Sequence, residues 1–491
     1  MTMLWPALPF DPQETLISYA DRLSMYHTGR GMERLLRDHG IHHEHFVSGR
    51  PEAVAGFADA TGHALMDFQR NAIRVFQRGG EFRGEATSKS FLLPQTRRYC
   101  PACLDQDGGP TDWRFRLIWG FRHVQRCDLH GVWLEPTANA TMNCLRVAMN
   151  ETSLAEPSDI MYETPTYLDW LHGRLQGGDT AETPWLADQT LEQVLAASEM
   201  IGGVLQHGHK VKLTKLSPAE TEEATDIGFS IYSEGREAVV EALDTIRQTS
   251  PANAVQAGPL AHYGKLFDWL DRRSNSINPG PIRDLLRDHI VKYSAVEPGN
   301  TVLGVEIAER RFHTLYSLSA AVGIKRPRLA RLLKKLGEIP ADATEIESGN
   351  MVFDAVTTVS MIEAFRTAIP LCDLPQYLGA TKRQIEVLYR GGIVLPLIPR
   401  TEGGSVRHVV FGRSHLDELL EKIAGLPTTT VSGEGGLHPI SYACQRGVGR
   451  FEDLFSEIFK GNIPAFRHPR KQGIGSILVD VGPLVSAKNA A

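Results

Sequence analysis

The sequence predicts a mainly α-helical, multidomain protein, and three observations carry that prediction. Its 491 residues exceed what one hydrophobic core accommodates and suggest roughly three to five domains. Apolar residues recur at helical spacing through most of the chain, most clearly over residues 167–294. After residue 310 one plan occurs three times: a short helix, a glycine-containing turn, a second helix, and an exit rich in Gly, Ile and Pro.

Composition narrows the class. Hydrophobic residues at 42% and charged residues at 22% are those of an ordinary soluble globular protein. No run is long enough to span a membrane, and the opening MTMLWPALPFDPQE lacks a basic leader, so a cytoplasmic protein is expected. Six cysteines are too sparse for a disulfide scaffold. The net charge of -6 hides an asymmetry. Residues 151–250 hold eighteen acidic against six basic side chains, a net of -12, which leaves +6 on the remainder. Residues 310–336 hold eight Lys or Arg and no acid, a footprint for a polyanion.

Taken in order, residues 1–95 read as an N-terminal helical region. A Pro-rich lead ends at Glu14-Thr15, and LISYADRL then spaces Leu16, Tyr19, Ala20 and Leu23 as a helix. That spacing buries Leu16 and Leu23 and leaves Asp21 and Arg22 near the surface. Helices are expected at 32–39 and 51–77, with His39, His42, His43 and His45 on a solvated loop between them.

Residues 96–145 read as a small zinc ribbon or knuckle. Cys100 and Cys103 form C-x2-C, and after a gap of 23 residues Cys127 and His130 form C-x2-H. Two-residue gaps let both members of a pair reach one ion, and three thiolates with one imidazole complete a closed tetrahedral shell. One structural Zn2+ is expected, with no open position for chemistry. The competing reading is four reduced, unliganded side chains. Between the pairs, Trp113, Phe115, Leu117, Trp119 and Phe121 alternate as in a strand with one buried face. Cys144 reads as a core cysteine.

Residues 146–300 read as an acidic helical middle domain with breaks at Gly177-Gly178, Gly202-Gly203, Pro218 and Asn278-Pro279-Gly280-Pro281. Residues 236–247 form its clearest helix, with Val239, Val240, Leu243 and Ile246 on one side. The C-terminal third reads as tandem helix-turn-helix modules over 301–350, 365–425 (winged) and 436–485 (degenerate). In the first, Gly323 suits the turn and Pro327 the first turn of a recognition helix, which carries Lys325, Arg326, Arg328, Arg331, Lys334 and Lys335 toward phosphates and base edges. In the second, Gly379 makes the turn, Thr381 caps, and Lys382, Arg383 and Gln384 lie on the exposed first turn. A strand after Gly391-Gly392, a Gly403-Gly404 hairpin and a strand bearing Arg407 complete a wing. This module resembles excisionase and MerR-type DNA-binding domains, with a protein-binding wing as the alternative. In the third, acids Glu452, Asp453 and Glu457 weaken the second helix, and Arg467, His468, Arg470 and Lys471 lie on the following hairpin. No GxxxxGK[ST], HExxH or GxSxG occurs, so no enzyme is expected.

Two stretches together resemble the TniQ family, target-selection proteins of certain bacterial transposons. The first is PALPFDPQETLISYADRL, with Glu14, Leu16, Ser18, Tyr19, Arg22 and Leu23 at the family's positions. The second is RYCPAC…W…CDLHGVWL, with Cys100, Cys103, Cys127 and His130. The resemblance covers about the first 135 residues. It implies a non-catalytic, nucleoid-associated adaptor that recognises a DNA site directly or through a DNA-bound CRISPR effector, and that recruits an AAA+ ATPase regulator and a transposase. Double-stranded DNA and a second copy of the chain complete the implied partners. A zinc-containing excisionase or MerR-like transcription regulator is the rival reading.

Overall fold

The computed structural model describes residues 3–150, 153–158, 163–177, 183–252, 257–272, 277–397, 409–429 and 436–490, with the side chains of 272 and 487–490 left aside. The described residues are mainly helical, with small two- and three-stranded antiparallel sheets. They fall into two compact units, one of Met1–Tyr293 with Pro298–Ala308, the other of Ser294–Glu297 with Glu309–Ala491.

In the first unit, the helix Leu16–Thr28 is capped by Thr15 and stopped by Gly29 in the left-handed region. It packs on Met32–Asp38, and its core includes Tyr19, Leu23, Leu36, Phe57 and Phe68. The expected helix over 51–77 is two helices, Pro51–Thr61 and Leu65–Asn71, separated where Gly62 turns left-handed. Residues 73–75 then begin a three-stranded sheet, Ile73–Val75, Gly80–Phe82 and Glu85–Thr87. The histidine loop is also corrected, because His43–Val47 is a helix that buries Phe46. Asp21 and Arg22, expected near the surface, turn inward: Asp21 accepts from the Met32 N–H at 3.2 Å, and Arg22 grips Glu14.

Farther along, Leu191–His207 and Pro218–Glu234 pack closely, each opened by a capping box. Gly202-Gly203, expected to break the chain, lie inside the first of these helices. A Cβ on Gly202 would fall 1.8 Å from the Ala224 oxygen, and one on Gly228 would fall 1.8 Å from the Ser198 oxygen. These glycines let two helix backbones touch. Arg236–Gln248, Pro259–Arg272 and Ile282–Tyr293 complete the layer, with Val239, Leu243 and Ile246 buried as the periodicity requires.

The second unit repeats one topology three times. A strand leads into a helix, a glycine turn and a second helix; a return strand then pairs antiparallel with the first and opens a third helix. The leading and returning strands are Phe312–Thr314 with Val352–Asp354, Ile369–Pro370 with Val410–Phe411, and Leu437–Pro439 with Ile477–Asp480. The turn glycines Gly323, Gly379 and Gly447 have φ of 66°, 59° and 78°, values that favour glycine. After each second helix the chain bonds back five residues: Glu338 N–H to Leu333, Ile393 N–H to Leu388, and Asn462 N–H to Glu457.

The repeats do not pack alike. The first has its own core around Leu318, Leu329, Leu333 and Ile362. The second and third share one core that runs from Leu374 to Val481. Their seam is backbone on backbone, with Ile474 N–H donating to Leu378 O and Gly475 N–H to Gly379 O, both at 2.8 Å. The strand expected after Gly391-Gly392 is not regular; Leu397 N–H makes one bond to Val410 O. Gly403, Gly404 and Arg407 lie outside the described residues.

Candidate metal centre and nucleic-acid interface

Two short motifs build the metal centre. Tyr99 ends a strand, Arg98–Tyr99, paired with Glu135–Pro136, and Cys100 then caps the helix Pro101–Asp107. Its Sγ accepts from the Cys103 N–H at 3.4 Å, so the proline-initiated turn aims both thiols the same way. The second pair sits on a tight loop closed by Gly131 N–H to Cys127 O at 3.0 Å and Cys127 N–H to Val132 O at 2.8 Å. Gly131 has φ of 66°, which lets the loop reverse.

The four ligand atoms of Cys100, Cys103, Cys127 and His130 lie within 4.8 Å of one another. Cys103 Sγ is 3.6 Å from Cys127 Sγ and 3.2 Å from His130 Nδ1, and His130 Nδ1 is 3.6 Å from Cys100 Sγ and 3.7 Å from Cys127 Sγ. The cysteines are buried and the histidine half-buried. Thiol hydrogen bonds from Cys103 and Cys127 hold Cys100 low, while Cys100 and Cys127 push Cys103 up. Three thiols this close cannot all ionise without a cation among them, and the cluster could hold one metal ion. Cys144 is buried and lies outside the cluster.

The aromatic stretch between the pairs is not the expected strand. Residues 117–120 form a single 3-10 turn, and Ile118 is buried along with Trp113, Phe115, Leu117, Trp119 and Phe121. From Leu117 to Phe121 every residue is buried, so that part carries no one-sided alternation. What holds the stretch is the N-terminal motif. Glu14, fully buried, accepts from Arg22 Nε and Nη2 at 2.8 Å each and from Ser18 Oγ at 2.7 Å. Ser18 Oγ in turn accepts from the Phe115 N–H at 2.9 Å, and Leu117 N–H donates to Gln13 O at 2.7 Å. Burial pushes the Glu14 carboxyl up, against the pull of Arg22. The two motifs, a hundred residues apart, are therefore one structure.

The metal hairpin is also clamped to the helices that follow it. Arg122 and His123 both meet Glu199 on Leu191–His207, His123 Nε2 lying 3.1 Å from Glu199 Oε2. Arg126 pairs with buried Glu222 on Pro218–Glu234, and Asp128 meets His172 Nδ1 at 2.6 Å. The sequence reading missed these partners. Their signal was available: Glu199 and Glu222 are acids among the buried residues of otherwise apolar helical faces.

With this geometry in view, the comparison with known families is decisive for the N-terminal region. Residues 6–134 match the TniQ family model. The chain carries a TniQ domain. No curated protein matches it. The TniQ match takes in both motifs joined by Glu14, Ser18 and Phe115, and it ends at the last residue of the metal hairpin.

The sequence-predicted basic residues lie in the second unit. Lys325, Arg326, Arg328, Arg331 and Lys335 are exposed on or beside the helix Arg326–Leu336, and among the described residues none faces a carboxylate at ion-pair distance. Arg326 lies over the Tyr316 ring at 5.6 Å, and Arg331 Nε donates to Pro327 O at 3.2 Å. Lys334 is committed inward, its ammonium donating to the carbonyls of Ala341 and Ala343. Lys382 and Arg383 are exposed, but the Gln384 amide oxygen accepts from Thr381 N–H at 2.8 Å as part of a capping box. Arg467 donates to Thr428 Oγ1 at 3.2 Å, while Arg470 is exposed at the hairpin tip. Among the described residues, no helix is long and apolar enough to cross a membrane.

Proposed function

We propose that this protein is a non-catalytic accessory factor of a bacterial transposon that recognises the target DNA and recruits an AAA+ regulator and a transposase to it. The observation that carries the reading is the TniQ domain, which implies a transposon-associated target-selection protein. A transcription regulator of excisionase or MerR type is not favoured, because such a reading leaves the TniQ match unexplained.

The reading assigns one Zn2+ to the Cys/His cluster. Tetrahedral zinc with bonds of about 2.3 Å to sulfur and 2.0 Å to nitrogen sets its donors roughly 3.4–3.8 Å apart, close to the separations present here. Four protein ligands leave no position for water, so the ion would organise the fold and not a reaction.

It also reads the three repeats of the second unit as helix-turn-helix modules over 301–350, 365–425 (winged) and 436–485 (degenerate). The zinc module of 96–145 then sits between the helical regions 1–95 and 146–300. Supporting this are the repeated strand–helix–turn–helix–strand order and the left-handed turn glycines. The helix Arg326–Leu336 is the best candidate reader, through Lys325, Arg326, Arg328, Arg331 and Lys335, because among the described residues these five meet no acid at ion-pair distance. Lys382, Arg383 and Arg470 would contribute phosphate contacts from the fused pair of repeats.

Footprinting of the full chain on transposon target DNA, with and without the AAA+ regulator, tests the reading. The expected result is a protected target segment that extends when the regulator is added. Absence of protection under both conditions would overturn it.

A further inference from the structure

The first unit holds a basic cleft that neither the metal centre nor the repeats account for. It lies between the sheet hairpin at Gly79-Gly80, the segment 88–98, and Arg122, and encloses about 630 Å³. Its lining contains Arg74, Lys89, Arg97, Arg98 and Arg122 and no Asp or Glu. Two of the five are neutralised from outside the lining, Arg74 by Glu81 at 2.9 Å and Arg122 by Glu199. Three are not. Lys89 and Arg97 are exposed at the mouth. Arg98, deeper in, is held in place by neutral acceptors, Gln125 Oε1 at 2.7 Å and Phe121 O at 3.1 Å.

The Glu192 carboxylate also meets the cleft, accepting from the Ser88 N–H at 2.6 Å, but Lys89, Arg97 and Arg98 still leave it net positive, and an anion lowers its free energy. The rest of the lining includes Val75, Leu92, Leu93 and Pro94, apolar and without an aromatic ring on which a base could stack. Ser88 and Ser90 add hydroxyls near the mouth. This combination suits a sugar–phosphate chain and offers little to read a base.

We propose that this cleft of the TniQ-containing unit is a second nucleic-acid contact, in which Lys89, Arg97 and Arg98 bind backbone phosphates of duplex DNA without regard to sequence. It rests on the reading that the protein works on DNA, but on different residues from those of the repeats. Recognition in the second unit would then be backed by a sequence-independent grip in the first.

The test uses the full chain and a target duplex, with affinity measured across salt concentrations. Lys89→Ala with Arg97→Ala removes the two exposed cations, whose side chains make no hydrogen bond among the described residues. The salt slope should fall by about two units, so the loss of affinity between 50 and 200 mM salt shrinks roughly tenfold. The change should add to that of Arg328→Ala with Arg331→Ala. A slope lowered by the second pair and untouched by the first overturns the cleft and leaves the repeats as the DNA site. A slope lowered by the first pair alone supports the cleft and refutes the basic helix. A poly-glutamate probe that binds through Lys89 and Arg97 while the DNA slope stays fixed would assign the cleft to an acidic protein and overturn the proposal.

Discussion

The metal hairpin and the helix Arg326–Leu336 each gather several basic side chains, and they treat them in opposite ways. On the hairpin, Arg122 and Arg126 meet Glu199 and Glu222, carboxylates almost wholly withdrawn from water. On the helix, Arg328 and Lys335 point into solvent with no acid among the described residues to meet them. A buried, paired charge is costly to disturb and ties segments of the fold together; an exposed, unpaired one costs the fold little to lose and is available to a ligand. Charge count alone would have ranked the two regions alike. Burial and pairing separate them.

The largest effect that could break this contrast is at the metal centre. If the cluster holds the proposed Zn2+, Cys100→Ser should abolish the cooperative thermal transition of the first unit, since a structural zinc supplies on the order of 10 kcal/mol to folding. The transition of the second unit should persist in the same calorimetric scan. Two unchanged transitions would mean that the cluster holds no structural ion.

Next comes the clamp. Glu222→Ala leaves Arg126 buried without its carboxylate and should destabilise the first unit by about 3–5 kcal/mol in a denaturant titration. Lys335→Ala, at an exposed position, should change stability by less than about 0.5 kcal/mol. Comparable values for both would erase the distinction.

Acid should act on the first unit in a defined direction. Burial pushes Glu199 up, but His123 and Arg122 beside it outweigh this and hold its carboxyl at about 2. Burial, and then Arg122, push His123 down, against the pull of Glu199. A carboxyl held below its ordinary value of 4.5 stabilises the fold above that value, and the contribution disappears as pH falls toward 2. Protonating a buried histidine opposes folding in the same direction. Stability of the first unit should therefore drop by on the order of 2 kcal/mol between pH 5 and pH 2, beyond the change in Glu199→Gln. An equal drop in that variant would assign acid sensitivity elsewhere.

Smaller still is a glycine comparison within the second unit. Gly379 and Gly323 occupy equivalent turns with similar φ, so alanine costs each about 1–2 kcal/mol of backbone strain. At Gly323 the new Cβ meets open space, whereas at Gly379 it would lie 2.4 Å from Gln472 O. Gly379→Ala should therefore be the more destabilising, and should loosen hydrogen exchange at the Ile474 and Gly475 amides. Equal costs would argue against the fused pair of repeats.

Much of this was legible in the chain. Cys100, Cys103, Cys127 and His130 declared a four-ligand cluster by spacing alone, because tight turns fix how far apart two side chains can be. Leu16 and Leu23, and Val239, Leu243 and Ile246, fell on buried faces as their period requires. What could not be read was tertiary. The alternation from Trp113 to Leu117 imitated a strand, with Arg114 and Arg116 partly exposed between buried neighbours, but residues 117–121 are all buried and 117–120 fold as a 3-10 turn. Gly202-Gly203 looked like a break and is a contact between helices, which only the position of Ala224 explains. Arg22 looked like a surface residue because its partner, Glu14, lies one helical start away and becomes buried only when the 113–121 stretch covers it. Lys334 and Gln384 looked available for DNA and are occupied by local carbonyls and a cap.

The division of labour is tested most directly by one pair of measurements on Arg328→Ala with Arg331→Ala: duplex affinity as a function of salt, and melting temperature. The account predicts a salt slope lower by about two units with melting essentially unmoved, because those guanidiniums serve a ligand and not the fold. An unchanged slope, or a collapse in melting, would contradict it.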